Sequence, residues 1–354
     1  MLTVFVGTYT QKLSHVNGRG TGIYIYSLKD KILRPEGAFR GLQNPSFLTV
    51  DAPRNRVYAV SEVVEYNGNP QGAVQTWSWN TDATTLSPIG ALDTRGGAPC
   101  YISISEDFLL IANYVGGSVI AIHLTELGDL GEIVGFAQHS GSSLNTTRQK
   151  SPHPHAIVPD PTGTYCLVPD LGIDKVHVYR IHSPQQYLLP IGQSLQIHPG
   201  AGPRHLRFHP SGTRVYVINE LDSSISLLSW NEGHSTVIKT FNALPDGYTR
   251  PHSGADIHVH PSGDFLYASL RGISSIVRFQ IDQTSGHLFS PVWFSTHGRV
   301  PRNFALDPCG ELLIVANQDS DTLVVYRIDP QNGHLLGPIQ ILHVPSPVCV
   351  KIVS

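Results

Sequence analysis

One segment recurs along this 354-residue chain: a short loop, a strand, a tight turn and two further strands. Its clearest copy is GPRHLRFHPSGTRVYVINELDSSISLLSW, from Gly202 to Trp230. Alternating apolar residues and the Pro-Ser-Gly punctuation mark the strands and turns. Further copies begin at Asn44, Ala98, His153, Ser253, Val300 and Val344, which makes seven. Aligned on Pro45, Pro99, Pro154, Pro203, Gly254, Pro301 and Pro345, they step by 44 to 55 residues. A period of about 50 residues with several strands per unit is the mark of a β-propeller, in which each unit is one sheet packed on its neighbours.

The last copy stops after one strand, at Ser354. At the other end of the chain, LTVFVGTYT (from Leu2) and GIYIYSLK (from Gly22) have no inner strand before them. The expectation is an all-β, seven-bladed β-propeller with four antiparallel strands per blade, a single domain over residues 1–354. Pairing of the N- and C-terminal strands closes one blade, shared by about residues 1–40 and 340–354. Such closure leaves few free strand edges to aggregate.

A net charge of −3 with 14% charged residues argues against nucleic acid or an anionic membrane as partner, since both favour a strongly basic face. Cys100, Cys166, Cys309 and Cys349 show no metal-ligand spacing, and Cys166 and Cys349 fall inside strands as buried thiols. No apolar run is long enough to span a bilayer, and MLTVFVGTYTQK lacks the form of a signal peptide. The expectation is a cytoplasmic protein, a monomer or weak homodimer. The longest patternless stretch, His139 to His155, reads as a functional loop rather than a connector.

Equivalent positions of the repeats carry dissimilar residues where inner strands reach the central channel. The residue after each anchor is Ser46, Cys100, His155, Arg204, Ala255, Arg302 and Ser346. At the end of the second strand stand Glu62, Tyr114, Asp170, Glu220, Arg271 and Gln318. Dissimilar polar groups around one axis resemble a binding site more than a scaffold. Each has a plainer reading: His153 and His155 as backbone-bonded loop residues rather than a zinc pair, Arg204 and Glu220 as a structural ion pair, Arg271 as a solvated charge. His209 and His260 read as turn residues, and Trp77, Trp79 and Trp230 as packing residues. Arginines and an imidazole near a carboxylate suit an anionic small molecule, because a guanidinium grips phosphate or carboxylate bidentately. Glu220 or His155 could then move a proton.

The chain resembles the seven-bladed propeller lactonases, the group that includes bacterial 6-phosphogluconolactonase and the fungal carboxy-cis,cis-muconate cyclase. FVGTYT, NPSF, SPHPHAIVPDPTGTYCLVPDLGIDKVHVY, GPRHLRFHPSGTRVYVINEL, ADIHVHPSGDFLYASLRG and PRNFALDP carry the resemblance over nearly the whole length. It implies a catalytic set of His155, Arg204, Glu220 and Arg271, Leu270 being a departure beside the last. His153, Asp170, His205 of GPRH, Asp256 of ADIH, Arg302 and Gln318 complete the expected substrate-binding set. The implied reaction is hydrolysis of an anionic sugar lactone, 6-phosphoglucono-δ-lactone above all, with no metal and no cofactor. Three rivals stand beside it: a lactone-forming cycloisomerase, a calcium-dependent lactonase drawing on Glu62, Asp170 and Gln318, and a non-catalytic binding platform.

Overall fold

Each repeat forms one antiparallel sheet in the computed structural model, which describes residues 2–81, 84–183, 186–192 and 194–353. Blade I comprises Leu48–Asp51, Arg56–Ser61, Ala73–Asn80 and Thr85–Asp93, and blade II comprises Pro99–Ser105, Phe108–Asn113, Ser118–Leu124 and Leu130–Gln138. Blade III has Val158–Pro159, Tyr165–Asp170 and Lys175–His182, the last paired with both Tyr187–Pro190 and Leu195–Gln196. Blades IV, V and VI start at Pro203–Phe208, Gly254–Val259 and Pro301–Leu306 and repeat the four-stranded order. Blade VII takes its inner strand, Pro347–Val353, from the C-terminus. Leu2–Thr8, Ile23–Lys29 and Ile32–Phe39 complete it, so the two chain ends close the ring as expected. The segment between Leu2–Thr8 and Ile23–Lys29 contains a small hairpin, Lys12–Leu13 paired with Val16–Asn17.

The blades hold together through their second strands. Leu109–Ala112, Val215–Ile218 and Leu313–Ala316 are wholly buried, because both faces of a middle strand meet a neighbouring sheet. Each such Val, Leu or Ile contributes about 1.5–3 kcal/mol on burial. A tyrosine in this strand reaches across to a glycine carbonyl: Tyr58 to Gly128 (2.5 Å), Tyr216 to Gly286 (2.8 Å) and Tyr267 to Gly333 (2.7 Å). His209 and His260 do the same with Gly263 and Gly310, as turn residues that also join blades. Trp77, Trp79 and Trp230 are buried packing residues.

The inner strands begin with a repeated kink. The residue before the anchor proline has positive φ at Asn44, Ala98, Gly202, Val300 and Ser346. Only Gly202 takes this conformation without strain, and a Cβ there would also meet the Leu221 side chain at 2.6 Å. The last of these kinks corrects one alignment. Blade VII is anchored at Pro347, which pairs with Thr8, and not at Pro345, so Ser346 precedes the anchor rather than following it.

Candidate active site

The register of the inner strands slips immediately after the kink. Pairing jumps from Pro99 to Tyr101, from Pro203 to His205 and from Pro301 to Asn303. Cys100, Arg204 and Arg302 are therefore bulge residues released from the ladder, and a bulge re-aims its side chain. Here they turn toward the end of the channel where the second strands finish. A cavity of about 820 Å³ opens there, walled on its polar side by Glu62, Tyr114, His155, Glu220, Arg271 and Arg302. Leu13, Val63, Val64, Ala98 and Val115 form its apolar side.

Glu220 is the hub. Its Oε2 accepts from Arg204 Nε (3.0 Å) and lies 2.8 Å from Arg271 Nη2, while its Oε1 accepts from Arg148 Nη2 (2.5 Å). Burial alone would raise the pKa of this carboxyl, but Arg271, Arg204 and Arg148 overcome it and hold it well below the usual range. Arg204 is pushed down to about 10, by burial first and then by Arg302 and Arg271, and stays a cation at neutral pH. Three arginines of the cavity wall, Arg148, Arg271 and Arg302, thus stand with Arg204 behind them around the buried carboxylates Glu220 and Glu62, while a third carboxylate, Glu65, is exposed at the rim.

Arg302 differs from the other three. Its guanidinium lies over the Tyr9 ring at 5.4 Å from the centroid and, among the described residues, has no carboxylate partner. Glu62, which could have served, accepts instead from Tyr9 Oη at 2.9 and 3.0 Å. His155 is buried, with Nδ1 3.6 Å from Cys100 Sγ and Nε2 3.9 Å from Glu220 Oε2. Burial, followed by Arg204, keeps its pKa well below 6.5, so the imidazole is neutral. Burial likewise keeps the Cys100 thiol protonated.

Of the expected catalytic residues, His155, Glu220 and Arg271 line the cavity, while Arg204 is 2% exposed and lies behind Glu220. Arg204 Nη1 donates to the Ala255 carbonyl (2.6 Å) and to His205 Nε2 (3.1 Å). Since the arginine can only donate, His205 must carry its proton on Nδ1, which bonds Asp256 Oδ1 at 2.8 Å. His205 and Asp256 are therefore not at the substrate face. They form a buried buttress that fixes the Arg204 head and through it Glu220.

Three further expectations need correction. Asp170 is wholly buried outside the cavity. The amides of Leu171 and Glu220 occupy equivalent places, bonding the carbonyls of His153 and Gly202, so Asp170 is equivalent to Asn219 and one residue out of register with Glu220. A one-residue slip sends a side chain to the other face. There Asp170 accepts from His139 Nδ1 (2.6 Å) and from the amides of His153 and Gly172. It ties blade II to blade III as Asn113 does with the Thr94 carbonyl and Asn317 with that of Thr296. His153 stacks on Tyr114 and bonds the Tyr114 carbonyl through Nδ1 (2.8 Å), which leaves His155 as the histidine at the cavity. Gln318 donates to Asp319 and lines a separate surface depression beside the Lys12–Asn17 turn. Glu62, Asp170 and Gln318 thus do not converge on a cation. His139, Asp170 and His177 do lie within 4.8 Å of one another, but both His139 nitrogens and Asp170 are already engaged in hydrogen bonds.

Arg148 escaped the repeat comparison because it belongs to no repeat. The patternless loop delivers it: Gln149 bonds the Leu171 carbonyl and Asp174, both at 2.8 Å, and Ser143 bonds Asp174 at 2.5 Å. Gly172 lets the loop approach, since a Cβ there would sit 1.9 Å from the Ser151 carbonyl oxygen. Arg148 Nη2 then reaches Tyr114 Oη (3.1 Å) as well as Glu220.

Fold and pocket together define a seven-bladed propeller with an arginine-rich, carboxylate-centred site at one end of its channel. Comparison with known proteins places the chain more closely. Residues 3–352 match the family described as "Lactonase, 7-bladed beta-propeller", and the chain belongs to that family. A 6-phosphogluconolactonase of Bacillus subtilis is 32% identical over 98% of this chain and 97% of its own. One from Formosa agariphila is 32% identical over 86% of each. Among solved structures, the periplasmic gluconolactonase of Pseudomonas aeruginosa superposes with a TM-score of 0.91 at 31% identity, covering 100% of this chain and 99% of its own. A protein from Lactobacillus plantarum gives 0.90 at 30% identity over the whole of both chains. No helix among the described residues is long and apolar enough to cross a membrane.

Proposed function

We propose that this protein is a carboxylic ester hydrolase that opens an anionic sugar lactone, with 6-phosphoglucono-δ-lactone as substrate and 6-phosphogluconate as product. The observation that carries this reading is the Arg302 guanidinium, which lines the cavity and, among the described residues, has no carboxylate partner. A phosphate dianion supplies the missing charge in the geometry a guanidinium binds best. The names of the relatives from Bacillus subtilis and Formosa agariphila support the choice of substrate.

In this mechanism Arg302 holds the phosphate, and Arg271 and Arg148 face the lactone carbonyl oxygen. His155 Nε2 takes a proton as water attacks the carbonyl carbon. The negative charge that develops on the carbonyl oxygen is met by the two guanidiniums. The ring C–O bond breaks, the proton passes from His155 to the departing ring oxygen, and one water is consumed. Glu220 has both carboxylate oxygens engaged by three guanidiniums, whereas the neutral His155 keeps Nε2 for the proton. The part of Glu220 is to hold the guanidinium heads and to stabilise the imidazolium 3.9 Å away. The reaction calls on no metal. We place the activity in the cytoplasm and in the pentose phosphate pathway, a setting that suits four unpaired cysteine thiols.

The test is turnover of freshly prepared 6-phosphogluconolactone with EDTA present, corrected for spontaneous hydrolysis, beside an assay for lactonisation of carboxymuconate. Hydrolysis well above background is expected. Background rates on the sugar lactone with turnover of the muconate would replace this reading with the cycloisomerase.

A further inference from the structure

The inner strands run away from the active site, and three residues beyond the Arg204 bulge, about 10 Å further along the strand, lies Arg207. Between the two levels the channel is plugged by a stacked pair, Phe47 and Tyr101 (ring centroids 4.2 Å apart), with His205 edge-on to both. Beyond the plug, Arg207 Nη1 donates to Tyr101 Oη (3.0 Å) and to the Leu206 carbonyl (3.0 Å). Lys351 of blade VII places Nζ 4.5 Å from the centroid of Phe47. His258 of blade V stands at the corresponding position of its own inner strand, close enough that Arg207 and Lys351 both disfavour its protonation. All three side chains are partly exposed, at the channel mouth opposite the active site.

Among the described residues neither Arg207 nor Lys351 forms an ion pair. The nearby carboxylate has nothing left to offer. Asp256 Oδ1 accepts from His205 Nδ1 and the Ile257 amide, and Oδ2 accepts from His258 Nε2 (3.1 Å) and Asn303 Nδ2 (2.5 Å). Its four lone-pair sites are filled. Two like charges are thus held near each other over an aromatic floor, in a setting where cations ordinarily have partners.

We propose that this opposite mouth is a second anion-binding site, in which Arg207, Lys351 and His258 take a small oxyanion of the phosphate class. Arg207 presents guanidinium N–H groups not used by Tyr101 or Leu206, and Lys351 adds an ammonium with no hydrogen-bond partner among the described residues. His258, whose Nε2–H donates to Asp256, offers Nδ1 as an acceptor for the hydroxyl proton of a hydrogen phosphate. The Phe47–Tyr101 plug separates this site from the catalytic cavity, so the two fill independently.

Binding of inorganic phosphate to the full chain is measured by isothermal titration at low ionic strength, with circular dichroism to check each variant's fold. Wild type is expected to bind two phosphates and Arg302→Gln one. Adding Lys351→Gln to Arg302→Gln should weaken the remaining site at least tenfold, and Lys351→Arg in its place should restore it. If wild type and Arg302→Gln each bind one phosphate that Lys351→Gln abolishes, this site stands and the role given to Arg302 falls. Loss of all binding in Arg302→Gln, or undiminished binding in the double variant, overturns the proposal.

Discussion

Replacing Glu220 by Gln keeps the shape of the hub and removes its charge. Three guanidiniums then share a neutral amide, with Arg204 and Arg271 too confined to turn away. Breaking a buried pair by deleting one partner costs about 3–5 kcal/mol, most of it the uncompensated charge left behind. Unfolding entropy of about 2.1 cal/mol/K per residue turns this into a fall in Tm of about 4–7 °C for a chain of this length. Because the folded pKa of Glu220 lies below its unfolded value of about 4.3, its stabilisation is present above that pH and lost as pH falls through the folded value. The variant should therefore show a shallower loss of stability below pH 4.3 than wild type. Phosphate should raise Tm more in the variant than in wild type, since the freed guanidiniums gain an anion. Thermal denaturation by circular dichroism, with and without phosphate, reads all three effects. A Glu220→Gln protein within 1 °C of wild type at pH 7 would refute the claim that this carboxylate neutralises the cluster.

Three other outcomes are expected. His155→Gln should lower kcat by about 10²–10⁴ while leaving KM within a factor of about three, as loss of a proton-transfer group does; equal kcat would remove His155 from the chemistry. Asp170→Asn installs the amide that stands at Asn113, Asn219 and Asn317, so kcat/KM should stay within about twofold and only stability should fall, by less than about 2 kcal/mol; a large kinetic defect would return Asp170 to the site. His205 and His177 are both pushed down to about 3, chiefly by burial, against about 6.5 when unfolded. Between those values the unfolded chain binds more protons, so stability must fall as pH drops. The pair should cost at least about 2 kcal/mol between pH 7.5 and 5.5, and a urea midpoint unchanged over that window would show that these imidazoles are not buried neutral.

The sequence made the architecture plain because each blade repeats the same turn and strand chemistry, and the unpaired strands at the two ends could only complete each other. It also located the pocket, since dissimilar residues at equivalent strand ends (His155, Arg204, Arg302; Glu62, Tyr114, Glu220, Arg271) stood out against a uniform scaffold. Depth was harder to read. His205 follows Arg204 in the chain, yet the bulge at Arg204 sends the two to different levels of the channel. Asp170 looked equivalent to Glu220 because both end a second strand with an acid, and only the ladder shows the one-residue offset. Arg148 lies in a loop with no counterpart in other blades, so no comparison of repeats could find it. The loop itself was legible as a functional segment from its length alone.

The central claim is that Arg302 reads the anionic group of the substrate. It is tested most directly by kcat/KM of wild type and Arg302→Gln on 6-phosphogluconolactone and on unphosphorylated gluconolactone, both with EDTA present. Truncating one side of a desolvated charge pair costs at least about 2 kcal/mol, so the variant should lose at least about thirtyfold on the phosphorylated lactone. On the unphosphorylated lactone it should stay within about twofold of wild type. An equal loss on both lactones, or no loss on either, would contradict the account.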